Sequence, residues 1–157
     1  MSDTTDLSTQ LAEHPFLEGM EKDLIEKLVG CVEGVFHFAE DEVLFRSGGE
    51  ARRCFLIAEG EVAIEIHSPG AGSRIVQTVA RGQVLGWSWL FPPYRTSFDA
   101  RVLTPVKSIV LDGEKLRACM NDHPDLGFAM MVRYAKLIGG RLQATRLQLL
   151  DMYANRN

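Results

Sequence analysis

The side chains with most chemical capacity fall in one stretch, Gly86-Trp87-Ser88-Trp89-Leu90-Phe91-Pro92-Pro93-Tyr94-Arg95-Thr96-Ser97. Arg95 can give charge-assisted, paired hydrogen bonds to an anion. Its alternatives are an exposed position or an ion pair with Asp99. Thr96 and Ser97 add hydroxyls that can serve the same anion. Trp87 and Trp89 can form a platform for a ring or simply pack. Pro92-Pro93 stiffens the connection between the indoles and the arginine. Metal chemistry has no comparable cluster. His14, His37, His67 and His123 lie in different segments, and Cys31, Cys54 and Cys119 show no Cys-x-x-Cys spacing, so neither zinc nor an iron–sulfur centre is expected. With no Gly-x-x-x-x-Gly-Lys phosphate loop and no nucleophile elbow, no catalytic residue is assigned and no enzymatic activity is expected.

Composition narrows the classes further. A chain of 157 residues is about one domain and buries enough surface to fold without disulfides or a structural metal. Seventeen basic against 21 acidic side chains give a net charge of −4, which argues against the basic face that nucleic-acid binding needs. The start, MSDTTD, lacks the basic and apolar regions of a signal peptide, and no apolar run is long enough to span a membrane. The three separated cysteines read as reduced, buried thiols, which makes the cytoplasm the expected compartment.

The elements that must position the stretch change in character along the chain. Residues 1–6 are polar and expected to be disordered. Residues 7–30 carry two short helical patterns broken at His14-Pro15, with Gly30 as a stop. Residues 33–111 read as eight short strands: Val35–Ala39, Val43–Phe45, Cys54–Ala58, Val62–Ile66, Ile75–Val79, Val84–Leu85, Phe98–Val102 and Ser108–Leu111. Glu59-Gly60 suits a two-residue hairpin turn and residues 68–73 a longer one. Phe55, Ile57, Val62 and Ile64 are assigned to the core. Residues 112–155 return to helix, with Asp112 and then Asp122 or His123 as caps and Pro124 in a first turn. The expected fold is therefore a single mainly β domain, a double-sheet roll of jelly-roll type, flanked by short N-terminal helices and a long C-terminal helix.

That last helix carries a stripe. Met131, Ile138, Thr145 and Met152 recur every seven residues, and Ala135, Leu142 and Leu149 interleave with them. Either the stripe lies on the roll or it forms a two-fold seam; the width of the apolar face, with Val132, Leu137, Leu147 and Leu150 off the stripe, allows both contacts at once and predicts a homodimer. Gly139-Gly140 interrupts it, for a close approach or a kink.

The order of elements and three motifs resemble a cyclic nucleotide-binding domain of the bacterial catabolite-activator (Crp-Fnr) type, over residues 15–153. The motifs are Phe45-Arg46-Ser47-Gly48-Gly49-Glu50, Phe55-Leu56-Ile57-Ala58-Glu59-Gly60-Glu61-Val62 and Gly82-Gln83-Val84-Leu85-Gly86. The resemblance implies a phosphate- and ribose-binding cassette over 82–97, with Gly86, Trp87, Ser88, Arg95, Thr96 and Ser97 as its ligand-facing residues and cyclic AMP or cyclic GMP as the possible ligand. It also implies a dimer helix through Arg141-Leu142-Gln143-Ala144-Thr145, in which Thr145 reaches a purine base or is only a polar residue in the seam. Arg146 then either crosses to the partner's ligand or lies in solvent. Two departures stand out. Trp87 replaces the glutamate that accepts from the ribose hydroxyl in the family, and no carboxylate lies between Leu85 and Phe98. Arg95 comes early when counted from Gly86, while counting back from Pro105 puts the arginine position at Thr96, a slip that turns a strand side chain to the opposite face.

The function these features imply is a stand-alone regulatory sensor of a nucleotide-like or other anionic small molecule, signalling through its dimer helix or a regulatory protein partner. The alternative is a non-binding scaffold whose pocket is filled by Trp87 and its neighbours. The sequence closes at Asn157, shortly past the helix, so no direct DNA binding is expected, and no membrane or resident cofactor.

Overall fold

The structure, a computed structural model, describes residues 2–154. Helix α1 spans Ser2–Glu13, so most of the segment expected to be disordered is helical, while Met1 and residue 155 of the expected final helix fall outside the described residues. A single 3-10 turn, Pro15–Leu17, follows where the helical pattern breaks. Helix α2, Lys22–Val29, buries Leu24, Ile25 and Leu28 on one face and stops at Gly30.

Six strands then form one hydrogen-bonded sheet: β1 Val32–Phe38, β2 Val43–Phe45, β3 Arg53–Ser68, β4 Gly72–Ala80, β5 Val84–Leu85 and β6 Asp99–Asp112. The eight expected strands become six because two pairs fuse. Glu59-Gly60 is not a hairpin turn. It lies inside β3, where the register against β6 shifts between Ile57 and Glu59 and again through Glu61 and Val62. Gly60 has φ +89°, and a Cβ there would collide with the Pro105 carbonyl, so the glycine marks a bulge that bends the strand. Across from it, β6 continues through Pro105 without a break.

Bending lets the two long strands serve both leaves of the roll. The first half of β6 pairs with β2 and with the second half of β3, while its second half pairs with β1 and the first half of β3. Strand alternation divides the buried residues accordingly. Phe55, Ile57, Val62 and Ile64 point into the roll, joined by Leu85, Val102 and Val110. Cys54, Leu56, Ile109 and Leu111 point out, where α1, α2 and the C-terminal helices cover them. With both faces covered, the first half of β3 reads as a continuous apolar run, Cys54–Ala58, rather than an alternating one.

Asp112 caps α3, Gly113–Asp122, by accepting from the Lys115 amide at 3.0 Å. Helix α4, Pro124–Ala154, starts on its proline and runs 31 residues, about 47 Å at 1.5 Å per residue. Leu126, Met130 and Tyr134, at four-residue spacing, bury against the body. From Ile138 onward the helix carries no buried residue. It is unbroken across Gly139 and Gly140, and a Cβ added at either glycine would meet nothing within 4 Å beyond the helix's own backbone.

Candidate ligand-binding site

A cavity of about 650 Å³ lies between the open side of the roll and α4, within the 300–1,000 Å³ usual for small-molecule sites. Phe55, Ile64, Val79 and Leu85 form its floor and Leu44, Phe45 and Phe98 one flank. Ile66 and Val76, 43% and 45% exposed on the β3–β4 hairpin, stand at an apolar edge. Helix α4 contributes Tyr134, Leu137, Arg141 and Thr145, spaced so that all four share one helix face.

Of the residues expected to face a ligand, Gly86, Trp87, Ser88, Thr96, Ser97 and Thr145 line this cavity. Gly86 has φ +99°, and a Cβ there would lie 3.0 Å from the Arg53 carbonyl, so the turn after β5 requires glycine. Ser88–Leu90 is a 3-10 turn of three residues rather than a helix. Trp87 is half-buried at the wall, whereas Trp89 is fully buried in the core under the helices. There its indole N–H donates to the Gly86 carbonyl at 3.1 Å and its ring meets Tyr134 edge-on.

Arg95 does not belong to the cavity lining. It is exposed, forms a β-bridge with Glu50, and donates from Nη1 to the Gly48 carbonyl at 3.1 Å. Of the placements expected for Arg95 the exposed one is found, and no pair with Asp99 is formed; Asp99 accepts instead from the Ser47 amide at 2.7 Å. The cause is register. Two backbone bonds, Thr96 N–H to Gly49 and Gly48 N–H to Thr96, hold the segment extended, so neighbours alternate sides and Thr96 takes the inward one. Its hydroxyl donates to the Arg46 carbonyl. Arg117 fixes the loop before it, lying 4.1 Å above the Tyr94 ring and donating to the Trp89 carbonyl at 2.6 Å.

Other polar groups reach the cavity that the sequence reading did not single out. Glu50 and Arg52 line it as an ion pair. Arg53 lines it while donating twice to Glu33 at 3.1 Å, with its guanidinium 5.4 Å from the Phe36 ring centre. Gln77 comes from β4. Arg141, half-buried on α4, was within reach of sequence reasoning: it stands four residues before Thr145 and therefore on the same face. The Thr145 hydroxyl donates to the Arg141 carbonyl at 2.9 Å.

The model of the cyclic nucleotide-binding domain family matches residues 35–123, more than half of the sequence. The chain belongs to the cyclic nucleotide-binding domain family. Solved structures agree on the fold. A putative cyclic nucleotide-binding protein from Geobacter metallireducens superposes with a TM-score of 0.76 at 24% identity, over 86% of this chain and 97% of that one. A cyclic nucleotide-binding domain from Methylobacillus flagellatus gives 0.77 at 17% identity, over 95% and 83%. Among curated proteins, a CRP-like cAMP-activated global transcriptional regulator of Mycobacterium tuberculosis is 22% identical over 90% of this chain. The chain spans 61% of that relative's length. Within the family, this member has a tryptophan where the sequence resemblance places the ribose-binding glutamate, and an arginine that faces out of the cassette. Among the described residues, no group of three or more His, Cys, Asp or Glu side chains is placed to hold a metal ion, and no helix is long and apolar enough to cross a membrane.

Proposed function

We propose that this chain is a ligand-sensing regulatory domain rather than an enzyme, taking a small organic anion into the cavity beneath α4 and relaying occupancy through that helix. The observation that carries the reading is that one wall of the cavity is the helix itself, through Tyr134, Leu137, Arg141 and Thr145. A ligand held between the roll and these side chains favours one position of α4 over others, which is the differential affinity a switch needs. A cavity of about 650 Å³ also favours sensing over the scaffold reading, in which indole fills the pocket.

The output surface is the outward face of α4. Met131, Ile138, Leu142, Leu149 and Met152 are 39–63% exposed on the single chain, and Ala135 and Thr145 are exposed beside them. Their spacing is that of a coiled-coil seam, so a second copy of the chain is the partner we assign to it. Titration calorimetry and thermal melting with a panel of organic anions, cyclic AMP and cyclic GMP included, test the sensor. Binding that raises the melting temperature supports it, and silence across the panel overturns it.

A further inference from the structure

Three arginines reach the cavity wall, and two are already neutralised: Arg52 by Glu50, and Arg53 by two bonds to Glu33. Arg141 has no carboxylate, carbonyl or aromatic partner for its guanidinium among the described residues. Burial alone lowers its pKa, as expected of a cation facing apolar walls without a counter-charge. A guanidinium nevertheless stays protonated, so the cavity presents one uncompensated, partly desolvated positive charge.

The rest of the site lacks what a cyclic phosphate and its ribose require. The cassette arginine points outward, the cassette turn is only three residues long, and an indole stands at the ribose position. A planar fork of N–H donors alone is well matched to a planar carboxylate, which it can bind through both oxygens. We propose that the cavity takes an apolar carboxylic acid, with its carboxylate paired to Arg141 and its hydrocarbon or aromatic body lying on Phe55, Ile64, Val79 and Leu85. This rests on the reading of the cavity as a ligand site and names the ligand class. It also makes the helix itself the anion-binding element, so charge recognition and output share one helix.

The test uses 4-phenylbutyrate, its uncharged counterpart 4-phenylbutanol, and cyclic AMP, each titrated by calorimetry into the full chain, into Arg141→Gln and into Arg95→Ala. Circular dichroism and melting confirm that the variants fold. The wild-type chain is expected to bind the acid about tenfold or more tightly than the alcohol. Arg141→Gln is expected to erase that difference while leaving alcohol binding unchanged, and Arg95→Ala to change neither. Equal binding of acid and alcohol by the wild type overturns the role of Arg141 but leaves a ligand cavity. Cyclic AMP binding more tightly than the acid, above all with loss in Arg95→Ala, overturns the ligand class. Failure of all three probes overturns both this proposal and the sensor reading beneath it.

Discussion

Tyr134 of α4 donates its phenolic hydrogen to the carbonyl of Gly86 at 2.9 Å, joining the terminal helix to the turn that opens the cassette. Cys54 Sγ lies 3.3 Å from the Tyr134 hydroxyl oxygen, and the Gly86 carbonyl also accepts from Trp89, so strand, cassette and helix meet at one buried point. The Tyr134 hydroxyl titrates well above its ordinary range because it is buried and lies beside Cys54. Tyr134→Phe is expected to cost about 1 kcal/mol, since Trp89 still serves the carbonyl. Tyr134→Ala is expected to cost about 3–5 kcal/mol through the cavity it leaves. Urea unfolding of both variants separates the bond from the ring. A loss in Tyr134→Phe as large as in Tyr134→Ala would mean that the hydrogen bond, not packing, secures α4.

His14 makes folding sensitive to mild acid. Its Nδ1 accepts from the Phe16 amide at 3.2 Å and its Nε2–H donates to the Ile57 carbonyl at 2.9 Å, so the neutral ring is fully satisfied. Burial lowers its pKa below 6.5, outweighing the opposing effect of the Ile57 bond. The unfolded chain therefore binds more protons below that pH. This contribution to stability is complete above about 6.5 and is lost as pH falls toward the folded value. Melting temperatures between about pH 5 and 7 should fall for the wild type more steeply than for His14→Gln, whose amide offers both bonds without titrating. Parallel curves would remove His14 as the source.

Two of the three thiols are expected to resist modification. Burial pushes Cys54 up to about 12, against the smaller opposing effect of Tyr134. Cys31 also rises to about 12, through burial first and then the neighbouring Cys119. At pH 8 each then holds on the order of 10⁻⁴ of its population as thiolate. Ellman's reagent on the folded chain should titrate the half-buried Cys119 first, with Cys31 and Cys54 reacting only on unfolding. Three equally fast thiols would contradict this packing.

Much of the architecture was legible because glycine and helix-capping residues act locally. Asp112 and Pro124 mark helix starts by chemistry that needs no distant partner. Gly60 was located correctly but misread: a bulge and a tight turn both demand positive φ, and only the distant Pro105 carbonyl distinguishes them. Arg95 shows the same limit in the site. Its residue type is right for an anion, but its side is set by backbone pairing of Thr96 with Gly48 and Gly49, nearly fifty residues away. Arg95→Ala should therefore change stability by no more than about 0.5 kcal/mol, as for an ordinary exposed side chain. Denaturant unfolding checks this, and a loss of several kcal/mol would give the Gly48 contact a structural weight its exposure does not suggest.

The seam on α4 gives a test that separates assembly from folding. Ile138 and Leu142 are 39% and 51% exposed, and nothing on the roll covers them, so a charge placed there desolvates nothing within the single chain. Leu142→Glu should leave the helical circular dichroism of the protomer nearly intact. In a two-fold seam, however, the same residue faces its own copy, so one substitution buries two like charges against each other. Light scattering after gel filtration should give about twice 17.5 kDa for the wild type and about 17.5 kDa for Leu142→Glu. A similar change at Lys136, which lies off the stripe, should leave the mass unchanged. A wild type that is monomeric at every concentration would leave the stripe without its assigned partner. The output of the domain would then pass to a different protein along the same helix face.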